Sequence, residues 1–197
     1  FSEAARWSAQ ARNGMREELV ERAMHGDREA FASLARDTAD RSYALAYRIL
    51  RDPHRAQDAV QQALIAAWRD LPTLRDASRF DAWLRRLVVN ACYTEARGER
   101  RWEAKVRLIP TDTPAVADIA RSVANRDDLE RAFRRLTPEQ RAVVVLHHHL
   151  GYPLTEIAAT LGIPQGTARS RLHHAVRQLR AALDDEGRSA TSQERSA

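Results

Sequence analysis

Apolar residues recur at every third or fourth position along most of the chain, and this spacing restricts the fold to packed helices. One such stripe falls on a single helical face and runs through Ala56, Val60, Ala63, Leu64, Ala67, Trp68 and Leu71. A second stripe is formed by Phe31, Leu34, Ala35, Tyr43, Ala46, Tyr47 and Leu50. No alternation of apolar and polar residues is long enough to form a strand. The sequence therefore predicts an all-α protein.

Residues that cap helices separate these stripes into individual elements. Asp27 precedes the stripe that begins at Phe31, and Asp52 is followed by a proline, the residue favoured at the first helical position. Ser78 is followed by Asp81 at capping-box spacing, and we expect this pair to open the next helix. In the C-terminal half, cap and proline recur as Thr137-Pro138-Glu139-Gln140, with glutamine at the capping-box position.

The helical pattern stops between residues 103 and 127, where prolines and threonines cluster and large apolar residues are few. We therefore predict two small helical domains, residues 16–102 and 128–183, joined by a flexible linker. Residues 1–15 are interpreted as an N-terminal extension or tag remnant, and residues 184–197 as a polar tail.

The charge and cysteine content exclude several classes of protein. The chain has 32 basic and 27 acidic residues, a net charge of +5, and all but one of the basic residues, Lys105, are arginines. Arginine suits planar acceptors such as phosphates and guanine edges. The single Cys92 cannot form an internal disulfide, and no apolar stretch approaches the roughly 20 residues of a membrane span. We expect a cytoplasmic protein without membrane insertion.

The segment 154–180 has the spacing of a helix-turn-helix. Ile157, Ala158 and Leu161 face inward on the first helix, and Gly162 suits the turn that follows it. The second helix is expected to bury Ala168, Leu172, Val176, Leu179 and Leu183. Its outward side has no acidic residue between positions 165 and 180 and carries Thr167, Arg169, Ser170, Arg171, His173, His174, Arg177 and Arg180.

Two blocks of motifs, in order and at proper spacing, resemble the extracytoplasmic-function sigma factors of bacterial RNA polymerase. Residues 136–173 resemble the promoter-binding region four of that family, through Leu136-Thr137-Pro138-Glu139-Gln140-Arg141 and Ile163-Pro164-Gln165-Gly166-Thr167-Ala168-Arg169-Ser170-Arg171-Leu172-His173. Residues 26–90 resemble region two, through Gly26-Asp27-Arg28-Glu29-Ala30-Phe31, Ala56-Gln57-Asp58-Ala59-Val60-Gln61-Gln62 and Phe80-Asp81-Ala82-Trp83-Leu84. The resemblance covers about residues 16–183.

The resemblance implies three functional surfaces. In region two, the loop 71–79 and the helix after it would capture a flipped base of the minus-ten element, with DNA contacts from Arg79, Phe80, Arg86, Asn90, Arg97, Arg100 and Arg101. In region four, the minus-thirty-five element would be read by Thr167, Arg169, Ser170, Arg171, His173, His174 and Arg177. Asp58, Gln61 and Gln62 would dock on the polymerase clamp, and a solvated helix face is the alternative interpretation of these three.

The sequence departs from the family pattern at several places. Gln62 stands where the family often has glutamate, and Val89 occupies a position that is commonly basic. Ala168 replaces a branched aliphatic residue in the recognition helix. His173 and His174 are also unusual there.

The expected function is that of an alternative sigma factor, which binds core RNA polymerase and directs promoter recognition, DNA opening and transcription initiation. The partners implied are the polymerase core (the clamp of the largest subunit and the flap of the second), promoter DNA and an anti-sigma factor. The alternative is a dimeric helix-turn-helix regulator that binds DNA without polymerase.

Neither enzymatic chemistry nor a cofactor is expected, because the sequence has no phosphate-binding glycine loop, nucleophile elbow or metal-ligand spacing. His147, His148 and His149 are consecutive, so on a helix they point about 100° apart and do not converge on one ion.

Overall fold

The computed structural model describes the backbone of residues 3–106 and 124–194 and the side chains of residues 14–98 and 129–184. Within these ranges all regular structure is helical, as the apolar periodicity predicts. The α-helices are α1 (Glu3–Met24), α2 (Arg28–Leu50), α3 (Pro53–Asp70), α4 (Phe80–Val106), α5 (Ala124–Arg135), α6 (Pro138–Val144), α7 (Leu154–Leu161) and α8 (Gln165–Glu194). Two 3₁₀ turns, Leu71–Thr73 and Ala77–Arg79, lie between α3 and α4.

The chain forms two compact units, Phe1–Thr94 and Glu95–Ala197. Most of the predicted linker, residues 107–123, lies outside the described residues. The segment interpreted as an N-terminal extension is helical in its backbone from Glu3, as part of α1, and the predicted polar tail continues α8 to Glu194. No helix in the described part of the chain combines the length and apolar character of a membrane span.

The first two predicted caps are confirmed. Asp27 accepts hydrogen bonds from the backbone N–H groups of Glu29 and Ala30, both at 3.0 Å, and Asp52 accepts one from Arg55 at 2.9 Å. The bond from Ala30, followed by the hydrogen bond from Arg22, lowers the pKa of Asp27. Carboxylate oxygens at these positions satisfy backbone donors that the first helical turn leaves unpaired.

The predicted capping box of Ser78 and Asp81 is wrong. Asp76 is the capping residue, because its carboxylate accepts bonds from the backbone N–H of Ser78 at 3.0 Å and from the Ser78 hydroxyl at 2.6 Å. These bonds begin the short 3₁₀ turn, and α4 starts only at Phe80. Asp81 is thereby free to face another helix, where it pairs with Arg16.

The core of the first unit joins α1, α2, α3, the first 3₁₀ turn and the start of α4. Its buried members are Val20, Ala23, Ala30, Leu34, Ala67, Leu71, Leu74, Phe80 and Leu84. In the second half of α2, Tyr43 and Tyr47 stack on each other at the surface, while the buried positions are Thr38, Ser42, Leu45, Ala46, Ile49 and Leu50. The apolar stripe predicted for α2 was therefore wrong at these two tyrosines.

In the second unit, the predicted capping box at the start of α6 is confirmed. Thr137 Oγ1 accepts from the backbone N–H of Gln140 at 3.3 Å, and the Gln140 side chain accepts from the Thr137 N–H at 2.8 Å. After α6 the helix widens into a π-helical turn, Val145–His149. The core against which these elements pack is formed by Leu136, Val144 and Ala175, with Phe133, Leu172 and Leu179 partly buried around it.

Helix α8 is buried along a seam of small residues. Ala168, Ala175 and Ala182 are buried at seven-residue spacing, and Leu172, Val176 and Leu179 are half-buried beside them. Leu183 was predicted to face inward, but it is 39% exposed. Because alanine is small, a seam of buried alanines allows neighbouring helices to approach closely, and the larger side chains lie on either side of it.

Substituting Thr137 with alanine is expected to lower the free energy of unfolding of the second unit by about 1 kcal/mol, because one end of the capping box is lost. Thermal unfolding followed by circular dichroism measures the change. The matched control is Thr155→Ala, which removes the same atoms from an exposed position on α7. Equal effects of the two substitutions would contradict a specific role for the cap.

Candidate nucleic-acid interface

Gly162 sets the angle between α7 and α8. It adopts the left-handed conformation with φ of 63°, a region that costs other residues about 1–2 kcal/mol. The backbone N–H of Ile163 then bonds to the carbonyl of Ala158 at 3.0 Å, which closes the end of α7. This local geometry presents the first turns of α8 at the surface of the unit, as in DNA-binding helix-turn-helix proteins.

The outward side of α8, called here the recognition face, is formed by Arg169, Ser170, His173, His174 and Arg177, all of them exposed. The Ser170 hydroxyl donates to the carbonyl of Thr167 at 3.0 Å, and an Arg177 Nη atom lies 3.3 Å from His174 Nδ1. Thr167 and Arg171 were predicted to belong to the same set, and both are half-buried at its edges.

The recognition face has the charge and shape needed to enter a DNA groove. The sequence places no acidic residue between Gln165 and Arg180, so nothing on this stretch repels phosphates. Exposed guanidinium and imidazole groups can donate to phosphate oxygens and to base edges. Ala168 is buried on the opposite side of α8, where it packs against the rest of the second unit.

The loop 71–79 of the first unit is held at both ends by buried side chains. Leu71 and Leu74 belong to the core at one end, and Phe80 belongs to it at the other. Between them Pro72, Thr73, Arg75 and Ser78 are exposed. The loop is therefore anchored by apolar side chains at both ends, with polar residues exposed between them.

Two polar contacts add to the order of this loop. The Thr73 hydroxyl donates to the carbonyl of Asp70 at 2.6 Å, and the Ser78 hydroxyl and N–H hold the pKa of Asp76 below its ordinary value. A carboxyl with a lowered pKa stabilises the fold above its unfolded-state pKa, and this contribution is lost as the pH falls through the folded-state value.

Phe80 does not lie where the sequence analysis placed it. The side chain is 3% exposed and packs in the core, with its ring centroid 6.1 Å from that of Trp83. A ring in this environment cannot stack on DNA, so Phe80 supports the loop instead of contacting nucleic acid. Trp83 is half-buried and packs against the same core cluster.

Arg79, Arg86 and Asn90 are exposed in the first unit, as a DNA-contacting surface requires. Val89 is fully buried, which explains an apolar residue at a position that the family commonly fills with a basic one. Arg97 is also exposed, but it lies on the part of α4 that belongs to the second unit. The side chains of Arg100 and Arg101 lie outside the described residues.

The third predicted surface is the outer side of α3, called here the docking face, where Asp58, Gln61 and Gln62 are all exposed. Sequence analysis did not include Ile65, which follows one turn later on the same side and is 61% exposed. The signal was present in the sequence, because Ile65 falls outside the apolar stripe of α3. Ile65 extends the docking face by one exposed aliphatic side chain.

Arg16 is a second residue that sequence analysis did not single out. Its guanidinium pairs with Asp37 of α2 through Nη1 and with Asp81 of α4 through Nη2, the latter at 2.7 Å. The same group lies 6.0 Å from the centroid of the Phe80 ring. These partners are far from Arg16 in sequence, so no local motif indicates the contact.

The first residue of the histidine run in the second unit, His147, makes a local hydrogen bond to the backbone. His147 Nδ1 lies 2.9 Å from the carbonyl of Tyr152, while His148 and His149 are exposed. Among the side chains that the structure describes, no group of three His, Cys, Asp or Glu residues is arranged to hold a metal ion. Cys92 is buried, as expected for a small apolar side chain in α4.

Comparison with known protein families matches both halves of the chain. The family model for sigma-70 region 2 matches residues 34–102, and the one for sigma-70 region 4 matches residues 126–179. The docking face and the loop 71–79 fall within the first match, and the recognition face falls within the second.

Among solved structures, the chain resembles the sigma factor RpoE in complex with the anti-sigma factor NepR from Bartonella quintana. The TM-score is 0.61 at 23% identity, over 78% of this chain and 96% of that one. It also resembles CnrH in complex with the cytosolic domain of CnrY, with a TM-score of 0.58 at 25% identity, over 86% and 97% of the two chains.

Curated relatives share more of the sequence. The ECF RNA polymerase sigma factor SigE of Mycolicibacterium smegmatis is 37% identical over 163 residues, 79% of this chain and 63% of the relative's own length. SigM of Mycobacterium tuberculosis is 35% identical over 162 residues, 82% of this chain and 81% of the relative. With both sigma-70 regions present in order and this degree of identity, the chain belongs to the ECF family of RNA polymerase sigma factors.

Proposed function

We propose that this chain is an alternative sigma factor that binds core RNA polymerase and directs promoter recognition, strand opening and transcription initiation. The observation that carries the proposal is that one ECF chain has two different exposed features suited to nucleic acid. One is an exposed recognition helix suited to duplex DNA, and the other is an anchored loop suited to an unstacked base. A dimeric regulator that binds duplex DNA needs only the first of them.

In this proposal the recognition face of α8 reads the minus-thirty-five element in the major groove. Arg169 and Arg177 stand two turns apart on the exposed side, with His173 between them. A helix lying in the groove brings such positions to successive base pairs and their phosphates. Thr167 and Arg171, half-buried at the edges, are assigned to the flanking phosphate backbone.

The first unit reads the minus-ten element as a single strand. The loop 71–79 receives the flipped base, and Arg79, Arg86 and Asn90 contact the strand beside it. Arg97, Arg100 and Arg101 continue the set of phosphate contacts predicted along α4. Phe80 is withdrawn from this set, because it is buried.

The docking face of α3 binds the clamp of the largest polymerase subunit, through Asp58, Gln61, Gln62 and the exposed Ile65. The second unit is assigned to the flap of the second subunit. The solved structure of RpoE in complex with the anti-sigma factor NepR supports an anti-sigma factor as a further partner.

The chain itself performs no chemistry in this account and needs no cofactor, since polymerisation belongs to the polymerase. Its place of action is the cytoplasm, where the polymerase and the promoter are found.

Run-off transcription with purified core polymerase on a promoter library tests the proposal. Initiation from a distinct subset of promoters, only when the chain is present, is the expected result. Tight binding of duplex DNA by the chain alone, without polymerase-dependent initiation, would replace the proposal with the dimeric regulator.

Replacing Arg169 or Arg177 with alanine is expected to lower initiation from a promoter that depends on the minus-thirty-five element by about tenfold or more, because a charged contact in the groove is lost. Initial rates at fixed salt concentration measure the effect. Arg134→Ala removes the same charge from an exposed position on α5 and should change the rate little. A loss of equal size in this control would show that general charge, not the recognition face, controls the rate.

Replacing Ile65 with serine is expected to weaken binding to core polymerase about five- to tenfold, with the free energy of unfolding changed by less than about 0.5 kcal/mol. The side chain is mostly exposed in the free chain, so its apolar surface is buried only in the complex. Fluorescence anisotropy of the labelled chain gives the affinity, and Leu129→Ser, at an exposed site on α5, is the control. Unchanged affinity for the Ile65 variant would remove this residue from the docking face.

A further inference from the structure

Helix α1 forms the support on which the loop 71–79 rests. It contacts both 3₁₀ turns, Leu71–Thr73 and Ala77–Arg79. Val20 and Ala23 of α1 are buried in the same core cluster as Leu71, Leu74 and Phe80, which hold the two ends of the loop. The position of the loop therefore depends on where α1 lies.

Arg16 joins α1 by polar contacts to α2 and to the start of α4, which directly follows the loop. Its two terminal nitrogens pair with carboxylates on two different helices, Asp37 on α2 and Asp81 in the first turn of α4. Its guanidinium also lies over the Phe80 ring, next to the second 3₁₀ turn. The Arg16 side chain is 21% exposed, while the carboxylates of Asp37 and Asp81 are 58% and 47% exposed, so the arginine is the more buried partner of each ion pair.

The planar fork of arginine is suited to this arrangement, because it can bridge two carboxylates in fixed geometry. Lysine has one ammonium group and no fork, so it cannot reproduce the bridge in the same geometry. Loss of Arg16 would leave the start of α4 held to α1 by apolar contacts alone, so small shifts of this end of the loop would cost less.

We propose that Arg16 is a positioning residue for base recognition. By bridging Asp37 and Asp81 beside the Phe80 ring, it holds the loop 71–79 in the conformation that discriminates the bases of the minus-ten element. This inference rests on the proposed sigma function and adds a residue, outside the DNA-contacting set, that controls specificity. Its effect is on the ratio of rates between matched and mismatched promoters. A residue that only stabilises the fold changes the amount of active protein and leaves that ratio unchanged.

The test uses holoenzyme assembled from core polymerase and the full chain, on a promoter found in the run-off library. Initiation rates are measured on this promoter, on versions with single-base changes in the minus-ten element, and on versions changed in the minus-thirty-five element. The variants are Arg16→Ala, Arg16→Lys and Asp81→Asn. The control is Arg22→Ala, which also removes an α1 arginine from an ion pair, in that case with Asp27.

Arg16→Ala is expected to reduce discrimination in the minus-ten element about five- to tenfold and to leave discrimination in the minus-thirty-five element unchanged. For Arg16→Lys, we expect discrimination in the minus-ten element to be intermediate between that of Arg16→Ala and that of the original chain. For Arg22→Ala, we expect the ratios for both elements to be unchanged. Asp81→Asn, which keeps the pair between Arg16 and Asp37, should reproduce the loss and serves if Arg16→Ala does not fold.

An equal fall in rate on all templates, or no change in either ratio, would overturn the inference while the proposed function stands. Failure of the original chain to support any polymerase-dependent initiation would instead refute the proposed function, and this inference with it.

Discussion

The burial of Leu71, Leu74 and Phe80 is the constraint on which the first unit depends. These three side chains hold both ends of a short loop in a core shared by α1, α2, α3 and α4. The loop cannot move without exposing apolar surface, at roughly 25 cal/mol for each Å². The loop proposed to bind a base is thus held in place by residues that pack in the core. Its polar residues remain exposed at the surface.

The second unit reaches a similar result by another route. An alanine seam lets α8 lie close against the rest of the unit, and a left-handed glycine fixes the angle at which it leaves α7. The exposed arginines and histidines then stand on a helix whose other side is immobilised. In both units the groups assigned to DNA are held by apolar contacts behind them, so that little conformational freedom has to be lost on binding.

Much of this could be predicted from the sequence because the signals are local. The caps at Asp27, Asp52 and Thr137 and the turn at Gly162 are each encoded within a few residues, and all are present in the structure. The exposed side of α8 also follows from helical spacing alone. The predicted contacts with DNA and polymerase remain predictions.

The errors arose where neighbours distant in sequence decide the outcome. Tyr43 and Tyr47 fit an apolar stripe, but the core of α2 is filled by Leu45 and Ile49, with Thr38 buried because its hydroxyl bonds to the Leu34 carbonyl at 2.7 Å. Phe80 was expected to contact DNA, but its side chain is buried in the core that it shares with α1. The bridge made by Arg16 joins three helices, and no window of local sequence contains its partners.

The central claim is that this chain opens promoter DNA only together with core polymerase. The most direct test places 2-aminopurine at the minus-ten position expected to flip, and follows its fluorescence with the chain alone, core alone, both and neither. The account predicts a rise in fluorescence only when both proteins are present, since unstacking needs the loop and the energy of polymerase binding. A rise with core alone, or tight binding by the chain alone without unstacking when polymerase is added, would contradict it.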